Sequence, residues 1–367
     1  MAPATDCGGR IAGLDGVRAL ALLLVLLSHV SSTPRFPLRG VFEQLPHIGL
    51  FGVQIFFLLS GFLQTSLLLG DERRFGRVLV RRFYAKRILR IAPLCLLYLL
   101  AVCGWAAISR YPLSLLDVAS VLFCFKHVVA AGPLLEHFWS LSIEMLFYIA
   151  WPLVLARLPA TRRPAAALAA VVAMPLSTVV IGAILPNTGT LNLSHFFRAE
   201  GLMLGCWLAF RQDGQAVRAA RGWVAPVFLA ALIAGILLMR LSEREFPAMR
   251  EALKYGTIFP AAVMVVAAMR CQSGWLSVLL NCSFARWLAM VSFGTYVWQQ
   301  MFFFAAPQEL LLGWPPPARL YWAVWFPGNL CCAIAAGALS YYAIERPLHR
   351  WRKRVAAAFS PRDFSAG

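Results

Sequence analysis

The sequence predicts an all-α integral membrane protein of about ten transmembrane helices plus one re-entrant or interfacial segment, and three observations lead there. The 367 residues are 60% hydrophobic and only 14% charged, with a mean hydropathy of +0.70, whereas soluble domains carry roughly 25% charged and 45–50% apolar residues. Apolar runs of about 20 residues, the length that crosses a bilayer, recur along the whole chain. The basic residues, which give a net charge of +18, collect in alternate connections, as the positive-inside rule requires.

The runs lie near 12–31, 47–69, 88–109, 138–157, 165–184, 197–211, 223–241, 254–270, 287–306 and 320–344. An eleventh apolar stretch, 115–131, contains Asp117, Lys126 and His127 and is followed by Gly132 and Pro133. It is read as re-entrant or interfacial, because counting it as a span would invert every later segment. With the N-terminus in the cytoplasm, 24 of the 34 Lys/Arg then fall inside. Both termini are expected in the cytoplasm, in a cell membrane. No cleavable signal peptide is apparent, so the mature protein is expected to begin near Met1. No fixed-period repeat or inverted half is visible.

In a soluble protein this charge would suggest nucleic acid, but here it sits in short membrane loops, so membrane lipid is the expected neighbour and nucleic acid is excluded. The nine cysteines show neither CxxC nor Cys/His spacing. They are read as small core residues, and no metal is expected.

Residues 13–29 put an arginine and a histidine into an otherwise apolar span. Arg18 and His29 are eleven apart, three turns plus about 20°, so they share one face roughly 16 Å apart along the axis. Ionisable groups at membrane depth are costly and are functional candidates; the plainer alternative is that Arg18 snorkels to the interface while His29 caps the outer end. The glycine- and aromatic-bearing stretch 49–62 reads as helix packing, with Gly52, Ser60 and Gly61 permitting close approach.

Residues 73–90 hold eight Lys/Arg in 18 positions. Lys86, Arg87 and Arg90 stand at i, i+3 and i+4 spacings and form one cationic patch. It could anchor anionic lipid, but planar guanidinium forks also suit phosphate, and a cytosolic phosphorylated donor such as acyl-CoA is a natural ligand. The stretch 137–152 places Glu144 about two turns into a span. A carboxylate there needs a partner, with His29 and Arg198 as the candidates. Glu345 beside Arg346 and before Pro347 reads as a helix end closed by a local ion pair.

Taken together these segments resemble the acyltransferase 3 family of integral-membrane acyltransferases. The resemblance is carried in order by LDGVRALALLLVLLSHV, GVQIFFLLSGF, KRILRIAP, FWSLSIEMLFY, SFGTYVWQQ and the closing IERP. Each motif alone is weak, and six in order are specific. The resemblance implies a single transmembrane acyltransferase domain over 1–354, with 355–367 as a short cytoplasmic tail. It implies transfer of an acyl group, commonly acetyl, from cytosolic acyl-CoA to a hydroxyl of a glycan, lipid-linked sugar or glycoside. By position, Arg18 and His29 match the family's Arg-x10-His pair, Lys86, Arg87 and Arg90 its donor-binding Arg-Arg-x-x-Arg motif, and Glu144 the acid of Trp-Ser-Leu-x-x-Glu. The chain departs from the pattern at Gln299, where many members have histidine, at Lys86, which lacks the fork of arginine, and at Met145–Leu146, where Glu-Gln is usual. The hydrolase-like domain of some members is not seen.

The chemistry assigns roles. Transfer from a thioester to an alcohol needs a base for the hydroxyl proton, and His29, with an ordinary pKa near 6.5, suits that task. Glu144 is expected to hold the imidazole tautomer in the manner of a catalytic triad. Arg18 is assigned to the donor's path or to an ion pair with Asp15. The rival reading is a proton-coupled transporter or flippase using Arg18, His29 and Glu144 as a relay.

Overall fold

The computed structural model describes residues 11, 13–31, 48–129, 132–184, 198–212, 223–242, 253–271, 273–305 and 326–359. Among these the architecture is all helical: α1 (Leu14–Ser31), α2 (Ile48–Phe75), α3 (Val80–Ser109), α4 (Leu115–Leu122), α5 (Pro133–Glu136), α6 (Phe138–Arg157), α7 (Arg163–Ile184), α8 (Glu200–Gln212), α9 (Val224–Ser242), α10 (Ile258–Arg270), α11 (Trp275–Asn281), α12 (Ser283–Gln300), α13 (Phe326–Ser340) and α14 (Arg346–Ala358). Two π-helical turns, Met301–Ala305 and Tyr341–Glu345, follow α12 and α13.

Among the described residues six helices are long and apolar enough to cross a membrane, and the pair α11–α12, bent by 41°, makes a seventh if counted as one span. The expected ten are thus not all present as spanning helices among the described residues. The run at 197–211 yields the 13-residue α8, about 20 Å long, against a hydrocarbon core near 30 Å. The first residues of the 320–344 run lie outside the described set. Leu96, Leu100 and Ile108 on α3 and Ile233, Leu237 and Leu241 on α9 are exposed. Spaced by about one or two turns, they form apolar faces that suit lipid and not water, and the chain is an integral membrane protein.

Residues 115–129 are cut into pieces too short to cross. Helix α4 has eight residues, capped by Ser114, whose hydroxyl accepts from the Asp117 amide, and it ends before a single 3₁₀ turn at Lys126–Val128. The segment nevertheless enters the protein: Lys126 is only 1% exposed, its ammonium donating to Asp117 and to the Val129 carbonyl, both at 3.3 Å. The Tyr98 hydroxyl donates to the Leu134 carbonyl at 2.7 Å.

Small residues set the central packing. Helix α2 lies between α1 and α8. A Cβ on Gly52 would come within 2.6 Å of the Ala21 carbonyl oxygen, and one on Gly61 would run into the Leu202 carbonyl. The obstacle at Gly61 is backbone and cannot swing aside. Gly61→Val is therefore expected to destabilise the bundle by about 1–3 kcal/mol or more, read as a lowered Tm of the detergent-solubilised protein, whereas Gly70→Ala, where nothing lies within 4 Å, should leave Tm nearly unchanged.

At one end of the bundle Arg163 forms a bidentate pair with Glu72 at 2.6 and 3.0 Å, and Arg82 pairs with Asp71 at 2.6 Å. These bridges tie the start of α7 and of α3 to the end of α2. Of the basic stretch 73–90, Arg73 and Arg74 end α2, Arg77 lies in the connection, and the remaining five stand in α3, which begins at Val80, eight residues before the apolar run.

Candidate active site

Helices α1 and α12 run side by side in the same direction, as three contacts of rising residue number require. The Gly13 amide donates to Asn281 Oδ1 at 2.8 Å, Arg18 Nε donates to Ser292 Oγ at 3.1 Å, and His29 Nδ1 lies 3.0 Å from Gln299 Oε1. Ser292 and Gln299 are seven residues apart, about 10 Å along α12. The Arg18 and His29 ends of the polar stripe are thus separate stations on one line.

At the upper station Gln299 is fully buried. With its carbonyl oxygen as acceptor, the imidazole proton resides on Nδ1, and Nε2 carries the lone pair. A second imidazole stands nearby: His137, 2% exposed, is close enough for its charge and that of His29 to act on each other. Its Nε2–H donates to the Val297 carbonyl at 3.0 Å, while Nδ1 is buried with no hydrogen-bond partner. Tyr98 and Tyr296 pack edge-on around it, and the Tyr296 hydroxyl lies 2.6 Å from Ser140 Oγ.

The lower station is a small cavity of about 60 Å³, room for a few waters or a slender chain. Arg18, Ser60, Ser140, Glu144, Ser292 and Tyr296 supply its polar wall. Glu144 accepts a short hydrogen bond from the Tyr148 hydroxyl, and Arg18 lies within the field of Glu144, Tyr148 and Arg90.

Glu144 therefore does not meet His29. Helix α6 descends as α1 rises, His137 occupies the level of His29, and Glu144, seven residues further on, lies about 10 Å lower, at the level of Arg18. The polar contact expected from Glu144 is made by Gln299. Pairing of Glu144 with Arg198 is absent too: that guanidinium sits 5.1 Å above the Tyr255 ring. Arg18 bonds Ser292, with Asp15 the weakest of the charges acting on it.

The cationic patch divides. Lys86 faces Arg82, Asp71 and Arg87, at the flank where Asp71 already neutralises charge. Arg87 turns inward, 7% exposed, with its guanidinium 5.3 Å above the Phe83 ring and 5.4 Å above that of Tyr148. Arg90 acts on Arg18, Arg87 and Arg352. The predicted Glu345–Arg346 pair is not formed: Arg346 lies over the Tyr342 ring at 5.9 Å, and Glu345 is buried facing Arg90, Arg352 and Arg18. The π turn at 341–345 adds a residue to the helical ring and turns this carboxylate inward. His137 and Arg352 received no role from sequence, and Tyr148 only that of an interface or packing aromatic; each lay in a quoted motif or basic run, but burial was the missing signal.

A polar line thus runs from Arg352, Arg90 and Arg87, past Tyr148 and Glu144, to Arg18 and Ser292, and on through Tyr296 to Gln299 and His29. Comparison with known proteins bears on its use. The chain is 27% identical over 381 aligned positions to YrhL of Bacillus subtilis, a candidate peptidoglycan O-acetyltransferase, covering 96% of this chain and 57% of that one. It is 25% identical over 315 positions to the peptidoglycan O-acetyltransferase OatA of Listeria monocytogenes, covering 78% and 48%. It is 28% identical over 217 positions to the O-acetyltransferase OatA of Staphylococcus aureus, covering 54% and 34%. The chain spans about half the length, or less, of these relatives. No solved structure matches it. The model of the acyltransferase domain family, Acyl_transf_3, matches residues 11–342, nearly the whole helical bundle, and the chain belongs to that family.

Proposed function

We propose that the chain is a membrane O-acyltransferase that moves an acyl group, acetyl in the first instance, from cytosolic acyl-CoA to a hydroxyl of a carbohydrate acceptor. The observation that carries this reading is the polar line, with an imidazole bonded through Nδ1 to Gln299 at one end and, at the other, guanidiniums that have no carboxylate partner among the described residues. The relatives named for peptidoglycan favour a cell-wall glycan as acceptor, and lipid-linked sugars and glycosides belong to the same chemical class. Both termini are placed in the cytoplasm, because that puts the Arg73–Arg90 basic cluster and the tail on the donor's side.

Acyl-CoA fits the residues present: Arg87 has a buried Nε with no hydrogen-bond partner, and the diphosphate of the donor offers such an acceptor. When bound, the thioester supplies an activated carbonyl. Arg87 and Arg90 bind the phosphates, and the small cavity at Arg18 guides the slender arm. At the far end His29 Nε2 takes the proton of the acceptor hydroxyl as that oxygen bonds the acyl carbon, and returns a proton to the departing sulfur. Gln299, by accepting from Nδ1–H, keeps the lone pair on Nε2, the service an acid renders in catalytic triads. Glu144 acts at the lower station, where its charge and the Tyr148 hydroxyl orient Arg18.

The reading predicts sidedness. In sealed inside-out vesicles, acetyl-CoA added outside should acetylate a glycan trapped in the lumen, and His29→Ala vesicles serve as blank. Acylation confined to acceptors on the CoA side would defeat the opposed-face arrangement, and absence of acetyl-CoA turnover by active preparations would defeat the donor assignment.

A further inference from the structure

The last helix contributes a charge that the six ordered motifs do not contain. Helix α14 packs along α3, and its Arg352 acts electrostatically on Arg87 and Arg90. Arg352 is half-buried. Its Nη2 reaches the Glu345 carbonyl at 3.5 Å and His349 Nδ1 at 3.1 Å, while Nε is buried with no hydrogen-bond partner.

Positive charge exceeds negative charge in this cluster. Arg18, Arg87, Arg90 and Arg352 bring four permanent positive charges, while the carboxylates that act on them, Asp15, Glu144 and Glu345, bring at most three. None of the four guanidiniums lies within 4 Å of a described carboxylate; the ion pairs among described residues are elsewhere, at Arg82–Asp71, Lys126–Asp117 and Arg163–Glu72. Arg87 is buried and the other three are partly so, and charges held away from water without a partner are unfavourable, so this cluster suits an anion. Glu345, whose Oε1 has no hydrogen-bond partner either, is a poor substitute: its carboxylate acts on three arginines at a distance, and only its backbone carbonyl is reached by one of them, Arg352.

We propose that Arg352 of α14 joins Arg87 and Arg90 of α3 in a three-arginine site for a phosphate or diphosphate group, with Glu345 as the resident counter-charge that the phosphate displaces. This rests on the acyl-CoA reading for the identity of the donor, but not for the existence of the site. The same chemistry is offered by an anionic lipid headgroup, and the test separates the two sources.

The full chain is placed in phosphatidylcholine nanodiscs, and binding of coenzyme A and of inorganic pyrophosphate is measured by calorimetry. Both should bind wild type, and Arg352→Gln should weaken both about ten- to a hundredfold, the loss of one charge-assisted contact, with Arg352→Lys intermediate because it keeps charge without the fork. Glu345→Gln should tighten both severalfold, since it removes a competing negative charge. A gain in affinity is a result that structural damage does not produce. Equal binding by wild type and Arg352→Gln, or no binding of either probe to wild type, overturns the site. Arg352-dependent binding of pyrophosphate without coenzyme A upholds the site and removes the acyl-CoA reading. If phosphatidylglycerol added to the nanodiscs abolishes Arg352-dependent binding of both probes, the headgroup is the natural occupant and the donor assignment falls.

Discussion

His29→Ala is expected to lower acyl transfer about 10²–10⁴-fold, the range over which a positioned general base accelerates proton transfer, while coenzyme A binds with unchanged affinity. The split follows from distance. His29 lies at the Gln299 end of α12, and the guanidiniums assigned to phosphate lie beyond Arg18, itself eleven residues and about 16 Å further down α1. The imidazole is half-buried and held by one side-chain hydrogen bond, so its loss leaves the helix packing of Ala21 and Val25 against α2 in place. Stopped-flow turnover with acetyl-CoA, beside calorimetry of the same preparation, reads both quantities. A variant that retains more than about a tenth of wild-type turnover would remove His29 from the proton-transfer step.

The second large effect is expected at Gln299. Gln299→Leu preserves the side chain's bulk in a fully buried position but deletes the acceptor for Nδ1–H. The imidazole then partitions between tautomers and rotates more freely, and turnover should fall about a hundredfold by the logic of the triad's orienting group. Gln299→Glu retains an acceptor at the same place and should recover most of the loss. Because Gln299 orients the base and contacts neither donor nor acceptor in this arrangement, the loss should appear in kcat with KM little changed. An equal fall in Leu and Glu variants would mean that the site tolerates only the neutral amide for packing reasons, and the orienting role would be withdrawn.

The Gln299 result has a counterpart in the sequence. Family resemblance marked this position as a departure, a glutamine where many members carry histidine. In the fold it becomes the partner of the base, a task either side chain can perform through a ring nitrogen or an amide oxygen. Glu144 shows the opposite outcome. Its depth in the span suggested proximity to His29, yet α6 runs opposite in direction to α1 and α12 and puts seven residues of helix between the two levels. Glu345 also changed meaning. Next to Arg346 in sequence it resembled a local ion pair, but neighbours along a helix face directions about 100° apart, and the π turn sends Glu345 inward while Arg346 covers Tyr342.

By itself the sequence determined the membrane class, the placement of most helices, the family and the roll of charged residues available for chemistry. Composition, apolar run length and ordered motifs are properties of the chain alone, and a bilayer converts them directly into helices because every backbone polar group must be satisfied within its own segment. Only the tertiary structure decided which charges meet. Arg18 with Ser292, His29 with Gln299 and Arg352 with Arg87 and Arg90 are each separated by more than 250 residues, and no local periodicity encodes contacts over that distance. They follow from the direction and depth of helices packed through glycine contacts, which set side by side groups that the chain lists far apart.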